Sequence, residues 1–407
     1  MEGHGGTRGL TRSATASRTS VRVLALVGVC VLVAGGATGF KVLTAHTASP
    51  PATTIPATPC GSPEASLAAT APRHVGSWPF SLLAAGTFSS LVAPPGRPAY
   101  AIQACGAQET ALRVVAVTTN RSGDTISTSA LFEHDALLTS SVAVVAGSVY
   151  FGAARLDLAA GTAVPPYELT VYKLDATTLQ VTARRSLGRG YGLWLYPLPA
   201  STRRSSSTAL LASTGSSLVS VDTTTLKPRS IAGFDKAVAQ HVATTAGSPD
   251  IAVSLYSPGL EPAATDARIE VLDVVTGKVV SQVGLQAGAD AESLTIASGQ
   301  LWASVGDGLS TEVQRWKMPA LAPIDHGSPV TTVLEPVSLA ASDSLVWMYG
   351  LGDVECAGAS GSVAASDTLQ PGSASSVAAL AEAGRVVYLV TQSGLGTVPV
   401  PSACPAS

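Results

Sequence analysis

The sequence has little charge, few aromatic residues and none of the common catalytic signatures. Charged side chains make up 13% of its 407 residues and aromatic ones 5%, while 46% are hydrophobic. That apolar fraction excludes a disordered polyelectrolyte, because there is ample surface to bury. The 39 glycines and 26 prolines fall short of a collagen or a Gly/Pro low-complexity chain. Asparagine occurs once, at Asn120, and six lysines stand against eighteen arginines, the bias of a GC-rich bacterial genome. G-x-S-x-G, H-E-x-x-H, the P-loop, a continuous EF-hand loop and G-x-G-x-x-G are missing, and so is any C-x-x-C pair. No metal site and no cofactor is assigned. Gly188-Arg189-Gly190-Tyr191-Gly192 has the wrong spacing for a dinucleotide turn and reads as a connection between repeats.

Net charge is −3, unevenly spread. Arg8, Arg12, Arg18 and Arg22 against Glu2 precede an uncharged run of 18 residues, Val23 to Phe40; beyond Lys41 there are 19 basic and 26 acidic side chains. An acidic domain of this kind is a poor nucleic-acid binder. The apolar run is at the lower limit for a membrane span. With a basic tail before it and no Lys/Arg cluster after it, the N-terminus is expected in the cytoplasm and the remainder outside. A cleaved secretory signal ending at Gly35-Gly36-Ala37 is the alternative. A lipoprotein is excluded, since Cys30 lies mid-span and follows Val29. From His46 to Pro63 five prolines mark an extended stalk. The expected organisation is a cytoplasmic tail (1–22), a transmembrane signal anchor (23–43), a Pro/Thr-rich stalk (44–79) and a folded domain (80–407).

That domain shows short β-rich runs punctuated by Gly, Ser, Pro and Asp, and almost no helical period. An aspartate followed three residues later by threonine recurs after alternating strands: Asp175-Ala-Thr-Thr178, Asp222-Thr-Thr-Thr225 and Asp273-Val-Val-Thr276. Aspartate at the first position of a tight turn accepts N–H groups from within it, which suits a hairpin. Looser versions are Asn120-Arg-Ser-Gly123 and Trp316-Lys-Met-Pro319. A second element is an apolar strand, a Gly or Ser turn and a strand bearing an aromatic, found around Tyr150, Trp302, Trp347 and Tyr388. Together they give four-stranded units beginning near residues 85, 140, 193, 239, 291, 335 and 375, about 46 residues apart.

Units of this length resemble the blades of a β-propeller. Their style (xxGxhWhxx, then hxhhDxxTxxh) is similar to the seven-bladed propellers of the YVTN-repeat and streptogramin-lyase type over roughly residues 80–404. The fold class expected is therefore all-β, a seven-bladed propeller ectodomain behind a single N-terminal transmembrane helix. A two-domain β-sandwich is the architectural rival. Asp273-Val-Val-Thr-Gly277-Lys278 resembles the D-x-x-T-G-K turn of quinoprotein dehydrogenases, but it occurs once and lacks the tryptophan that closes that motif.

Cys60, Cys105, Cys356 and Cys404 lie on the oxidising side and are disulfide candidates. Pairing Cys60 with Cys105 and Cys356 with Cys404 ties each end of the domain to a nearby blade. Cys60–Cys404 with Cys105–Cys356 competes, because a propeller brings its chain ends together.

In a propeller the loops entering the innermost strands build one rim. The rim candidates are His134, Asp135, Arg189, Tyr191, His241, Asp290, Glu292 and Glu335. A histidine among carboxylates could bind a cation or shuttle protons, and His241 with Glu292 is the pair to test first. The streptogramin-lyase resemblance implies a channel-mouth histidine with acidic neighbours, but no residue here matches such a motif one by one. The function expected is a binding module for a ligand, glycan or protein at one propeller face. A lyase or hydrolase at a His/carboxylate rim is the alternative.

Overall fold

The alternating runs become strands, and the turn residues fall between them. The protein is described by a computed structural model covering residues 81–404, apart from 86–87, 106–110, 120–124, 134–136, 157–164, 199–208, 246, 258–266, 308–309, 325–329, 331–337, 343–344, 351–352, 369–378, 384–385 and 392–393. Its strands pair antiparallel into seven four-stranded sheets. The first is β2–β5 (Phe88–Val92, Ala99–Cys105, Ala111–Thr119, Thr125–Glu133). The second is β6–β9 (Leu137–Val145, Ser148–Leu156, Tyr167–Leu174, Val181–Gly190). The third is β10–β13 (Trp194–Leu198, Ala209–Ser213, Ser217–Asp222, Pro228–Gly233). The fourth is β14–β17 (Val238–Ala243, Asp250–Tyr256, Arg268–Asp273, Lys278–Gly284). The fifth is β18–β21 (Asp290–Ala297, Gln300–Gly306, Thr311–Lys317, Ala322–Pro323). The sixth is β22–β25 (Ser338–Ser342, Leu345–Gly350, Asp353–Gly358, Val363–Thr368). The last joins β26–β28 (Ala379–Ala383, Val386–Thr391, Gly394–Pro399) to β1 (Ser81–Ala85).

Within each sheet the chain steps outward, and the innermost strands pack side by side: β2 on β6, β6 on β10, β14 on β18, β18 on β22, β22 on β26 and β26 on β2. Between the third and fourth sheets, Thr244 Oγ1 donates to Pro197 O at 3.1 Å. This is a β-propeller. It leaves no room for two face-to-face sandwiches. The strand not legible in the sequence is β1: it pairs with β28, so the N-terminal strand completes the sheet made by the C-terminus.

The recurring aromatics are packing residues. Tyr100, Tyr150, Trp302, Trp347 and Tyr388 occupy the second strands of five sheets and are all buried. Each core cluster mixes two neighbouring sheets; one joins Trp302 and Val313 to Val346, Met348 and Ala357.

The aspartate turns form as the spacing predicts. Asp175 Oδ1 accepts the N–H groups of Thr177 (2.9 Å) and Thr178 (2.8 Å) and the Thr178 hydroxyl (3.1 Å). Asp222 Oδ1 does the same with Thr224, Thr225 and the Thr225 hydroxyl, and Asp273 Oδ1 with the N–H groups of Val275 and Thr276. These bonds, led by the backbone N–H of Thr178 or Thr225, hold the carboxyls of Asp175 and Asp222 below the usual range. The residue after the threonine has positive φ and is Leu179, Leu226 or Gly277. Both leucines are buried, so packing offsets a backbone conformation that costs an L-residue free energy. Of Trp316-Lys-Met-Pro319, the first two residues end β20 and the last two begin the β20–β21 turn, which closes on Leu321, likewise buried at positive φ. Asn120-Arg-Ser-Gly123 lies outside the described residues.

These turns also receive the preceding blade. Tyr100 Oη donates to Ala176 O (3.1 Å), and Tyr150 Oη (3.1 Å) and Lys173 Nζ (2.9 Å) donate to Thr223 O. Further round, Gln300 Nε2 and Arg315 Nη1 donate to Ala359 O, each at 3.1 Å. Serines stitch the inner edges: Ser90 Oγ accepts Val142 N–H, Ser141 Oγ accepts Leu195 N–H and Ser293 Oγ accepts Leu339 N–H, at 3.0–3.2 Å. An innermost strand exposes N–H groups that no fifth strand can pair, and these hydroxyls satisfy some of them.

Cys356 and Cys404 are bonded to each other, both buried, across a separation of 48 residues. The competing arrangement through Cys105–Cys356 is thereby excluded. Cys60 and the Cys105 side chain lie outside the described residues, as does the Val23–Phe40 run. Among the described residues no helix is long and apolar enough to cross a membrane.

Candidate functional site

The rim where chain enters the innermost strands is assembled from loops of different sheets. Tyr191 sits between β9 and β10 and anchors its N–H on Thr214 O at 2.9 Å. Its Cβ lies against Gly215, where an added Cβ would come within 2.9 Å; Gly215 also has φ +81°, so only glycine suits that loop. Gly215 O in turn accepts the Ala239 N–H at 2.7 Å, tying the third sheet to the start of β14. Beside that start, Tyr256 ends β15 in register with Val238. Asp290 opens β18, which packs on β14 and β15.

Tyr191, Tyr256 and Asp290 thus come from three successive sheets, and Tyr256 feels the other two. The Tyr256 phenol is raised above its ordinary pKa first by burial, then by Tyr191 and by the Asp290 carboxylate. Glu292 occupies a bulge in β18, between Ala291 and Ser293, and its Oε1 lies over Gly306: a Cβ there would sit 2.5 Å from it.

Deeper along the innermost strands are Tyr196 on β10 and His241 on β14. Both keep partial solvent exposure yet are closely surrounded by protein. Burial raises Tyr196 well above the usual phenol range, although a hydrogen bond to the Val242 backbone opposes the shift. His241 follows a bulge, donates its backbone N–H to Ser254 Oγ at 3.0 Å, and has its pKa lowered to about 4 by burial.

The rim expectations divide accordingly. Tyr191, His241, Asp290 and Glu292 lie at or just inside the entry end. Arg189 lies on β9, the exposed outermost strand, in register with Glu168. His134, Asp135 and Glu335 lie outside the described residues. A neighbouring carboxylate would favour the charged imidazole expected of His241, whereas its burial favours the neutral form. Among the described residues no group of three or more His, Cys, Asp and Glu could hold a metal ion. Sequence reasoning missed Tyr196 and Tyr256. The signal available for Tyr256 was its place at the end of a second strand, opposite the start of an innermost one.

No family model matches the chain, and no curated protein matches it. The likeness to YVTN-type propellers therefore rests on the repeat pattern alone.

Proposed function

We propose that the protein is a membrane-anchored, extracytoplasmic binding module, a seven-bladed propeller whose ligand seats at the entry rim of the third to fifth sheets. The convergence of Tyr191, Tyr256 and Asp290 carries the reading: two phenols and a carboxylate from successive blades suit a ligand offering hydroxyl or ammonium donors. The seven four-stranded sheets, closed by β1, support the blade count. The arginines ahead of Val23–Phe40 and the prolines that follow it support the anchor and stalk. A lyase or hydrolase acting through His241 is disfavoured, because a group with a pKa of about 4 is a poor general acid near neutral pH.

A thermal-shift screen of the full chain against neutral sugars, polyols and primary amines tests the site. A compound that raises the melting temperature of the wild type, but not of Tyr256→Phe or Asp290→Asn, supports the rim. Hits indifferent to both substitutions place the ligand elsewhere. Reporter fusions after residues 20 and 70 test the anchor, and a cytoplasmic signal from the second would overturn it.

A further inference from the structure

A fourth side chain, Trp194, stands at the same mouth. Trp194 and Asp290 each open an innermost strand, and Tyr256 stands opposite Val238, which opens the one between them. Leu195 packs into the core shared by the second and third sheets, so strand alternation turns Trp194 and Tyr196 toward the fourth. Tyr196 packs into the core there, whereas the indole of Trp194 folds back along the chain over Gly192. A Cβ added at Gly192 would come within 2.8 Å of Trp194 Cζ3. Gly192 does not have a positive φ, so the ring and not the backbone conformation requires glycine there. Since Gly192 follows Tyr191, the indole lies beside the loop that rests on Gly215. Trp194, Tyr191, Tyr256 and Asp290 are all partly exposed.

We propose that this rim binds an oligosaccharide, with one sugar unit stacked on Trp194 and those beyond it hydrogen-bonded to Tyr256 and Asp290. The inference rests on the entry-rim reading and narrows it. Packed sheets stand about 10 Å apart, so groups on three successive sheets are too widely spaced to close on one ammonium, which needs ring faces within about 6 Å. They match a ligand that repeats its apolar and polar faces along its length. One face of a pyranose is a patch of C–H groups with slight positive charge, and it lies flat on the negative face of an indole. The hydroxyls round its edge donate to a carboxylate and exchange bonds with a phenol. Gly192 sets the platform, because any side chain there displaces the indole.

Isothermal titration of the full-length protein with neutral hexasaccharides of glucose, mannose, galactose and N-acetylglucosamine, and with the parent monosaccharides, tests the site. At least one hexasaccharide should bind, about tenfold or more tightly than its monosaccharide. Trp194→Ala and Gly192→Ala should each weaken it about tenfold or more, with melting curves showing that both fold. The second keeps the indole and only moves it. Saturating hexasaccharide should also reduce acrylamide quenching of tryptophan in the wild type but not in Trp194→Phe, because Trp302, Trp316 and Trp347 are already buried. No binding by any hexasaccharide, or binding indifferent to both Trp194→Ala and Gly192→Ala, overturns the inference. So does an amine whose thermal shift is lost in Tyr256→Phe and Asp290→Asn but kept in Trp194→Ala; the rim would then stand as the site of a different ligand. Hits indifferent to all three of these substitutions remove the rim itself.

Discussion

The two ends of the propeller are built on different principles. At one end the hairpins joining the third and fourth strands of the second, third and fourth sheets repeat a local device: an aspartate closes the turn, a leucine or glycine takes the positive φ, and in the second and third sheets a turn carbonyl receives Tyr100, Tyr150 or Lys173 from the blade before. At the entry end no device repeats among the described residues. Tyr191 precedes β10, Tyr256 ends β15 and Asp290 opens β18, and neighbouring sheets bring Tyr191 and Asp290 near enough to raise the Tyr256 phenol. The first end holds the ring, and the second is free to differ from blade to blade, which is the division of labour a binding scaffold needs.

Substitutions should separate the two ends by what they cost, with loss of the disulfide the largest effect. Replacing Cys356 and Cys404 by alanine opens a link of 48 residues and should cost about 3–4 kcal/mol in denaturant unfolding. Next is Arg315→Ala. The guanidinium lies 5.0 Å over the Trp302 ring, bonds Ala359 O and is almost wholly buried, so its loss should destabilise by roughly 2–4 kcal/mol. A loss below about 1 kcal/mol would mean that the blade-to-turn contacts do not hold the ring.

His241 gives the entry end a pH signature. Its folded pKa of about 4 lies below the ordinary value of 6.5, so the neutral form is the one the fold favours. The associated stability is complete above pH 6.5 and is lost as pH falls towards 4, by roughly 2–3 kcal/mol in all. His241→Gln should flatten the stability profile between those values; an unchanged profile would show that other groups govern acid sensitivity. Tyr150→Phe removes one hydroxyl bond to Thr223 O and should cost about 1 kcal/mol, since Lys173 still serves that oxygen. The smallest stability effect, under about 0.5 kcal/mol, is expected for Asp290→Asn at the rim, where only ligand binding should suffer. An Asp290→Asn loss as large as that of Arg315→Ala would erase the distinction between the ends.

The end that repeats is also the end that could be read. Asp175, Asp222 and Asp273 announced their hairpins because a turn's hydrogen bonds lie within four residues of chain. Tyr150, Trp302, Trp347 and Tyr388 announced the second strands because β-branched and aromatic residues alternate there at the pleat's own period. Their spacing of about 46 residues placed the innermost strands within a few residues of Phe88, Leu137, Trp194, Val238, Asp290, Ser338 and Ala379. The Cys356–Cys404 bond was the pairing preferred for tying the chain end to a nearby blade, and its rival was excluded only by the structure.

What the sequence by itself determined is thus the class of the fold, its period and its turns, since each depends on interactions between near neighbours. Only the tertiary structure decided that β1 closes the last sheet, because an edge strand is chosen by which sheet lacks one. The same holds for His241, whose pKa is set by what surrounds it, and for Tyr256, which feels Tyr191 and Asp290 from neighbouring sheets, 65 and 34 residues away in the chain. Burial and proximity between sheets belong to the closed ring, and no local pattern encodes them.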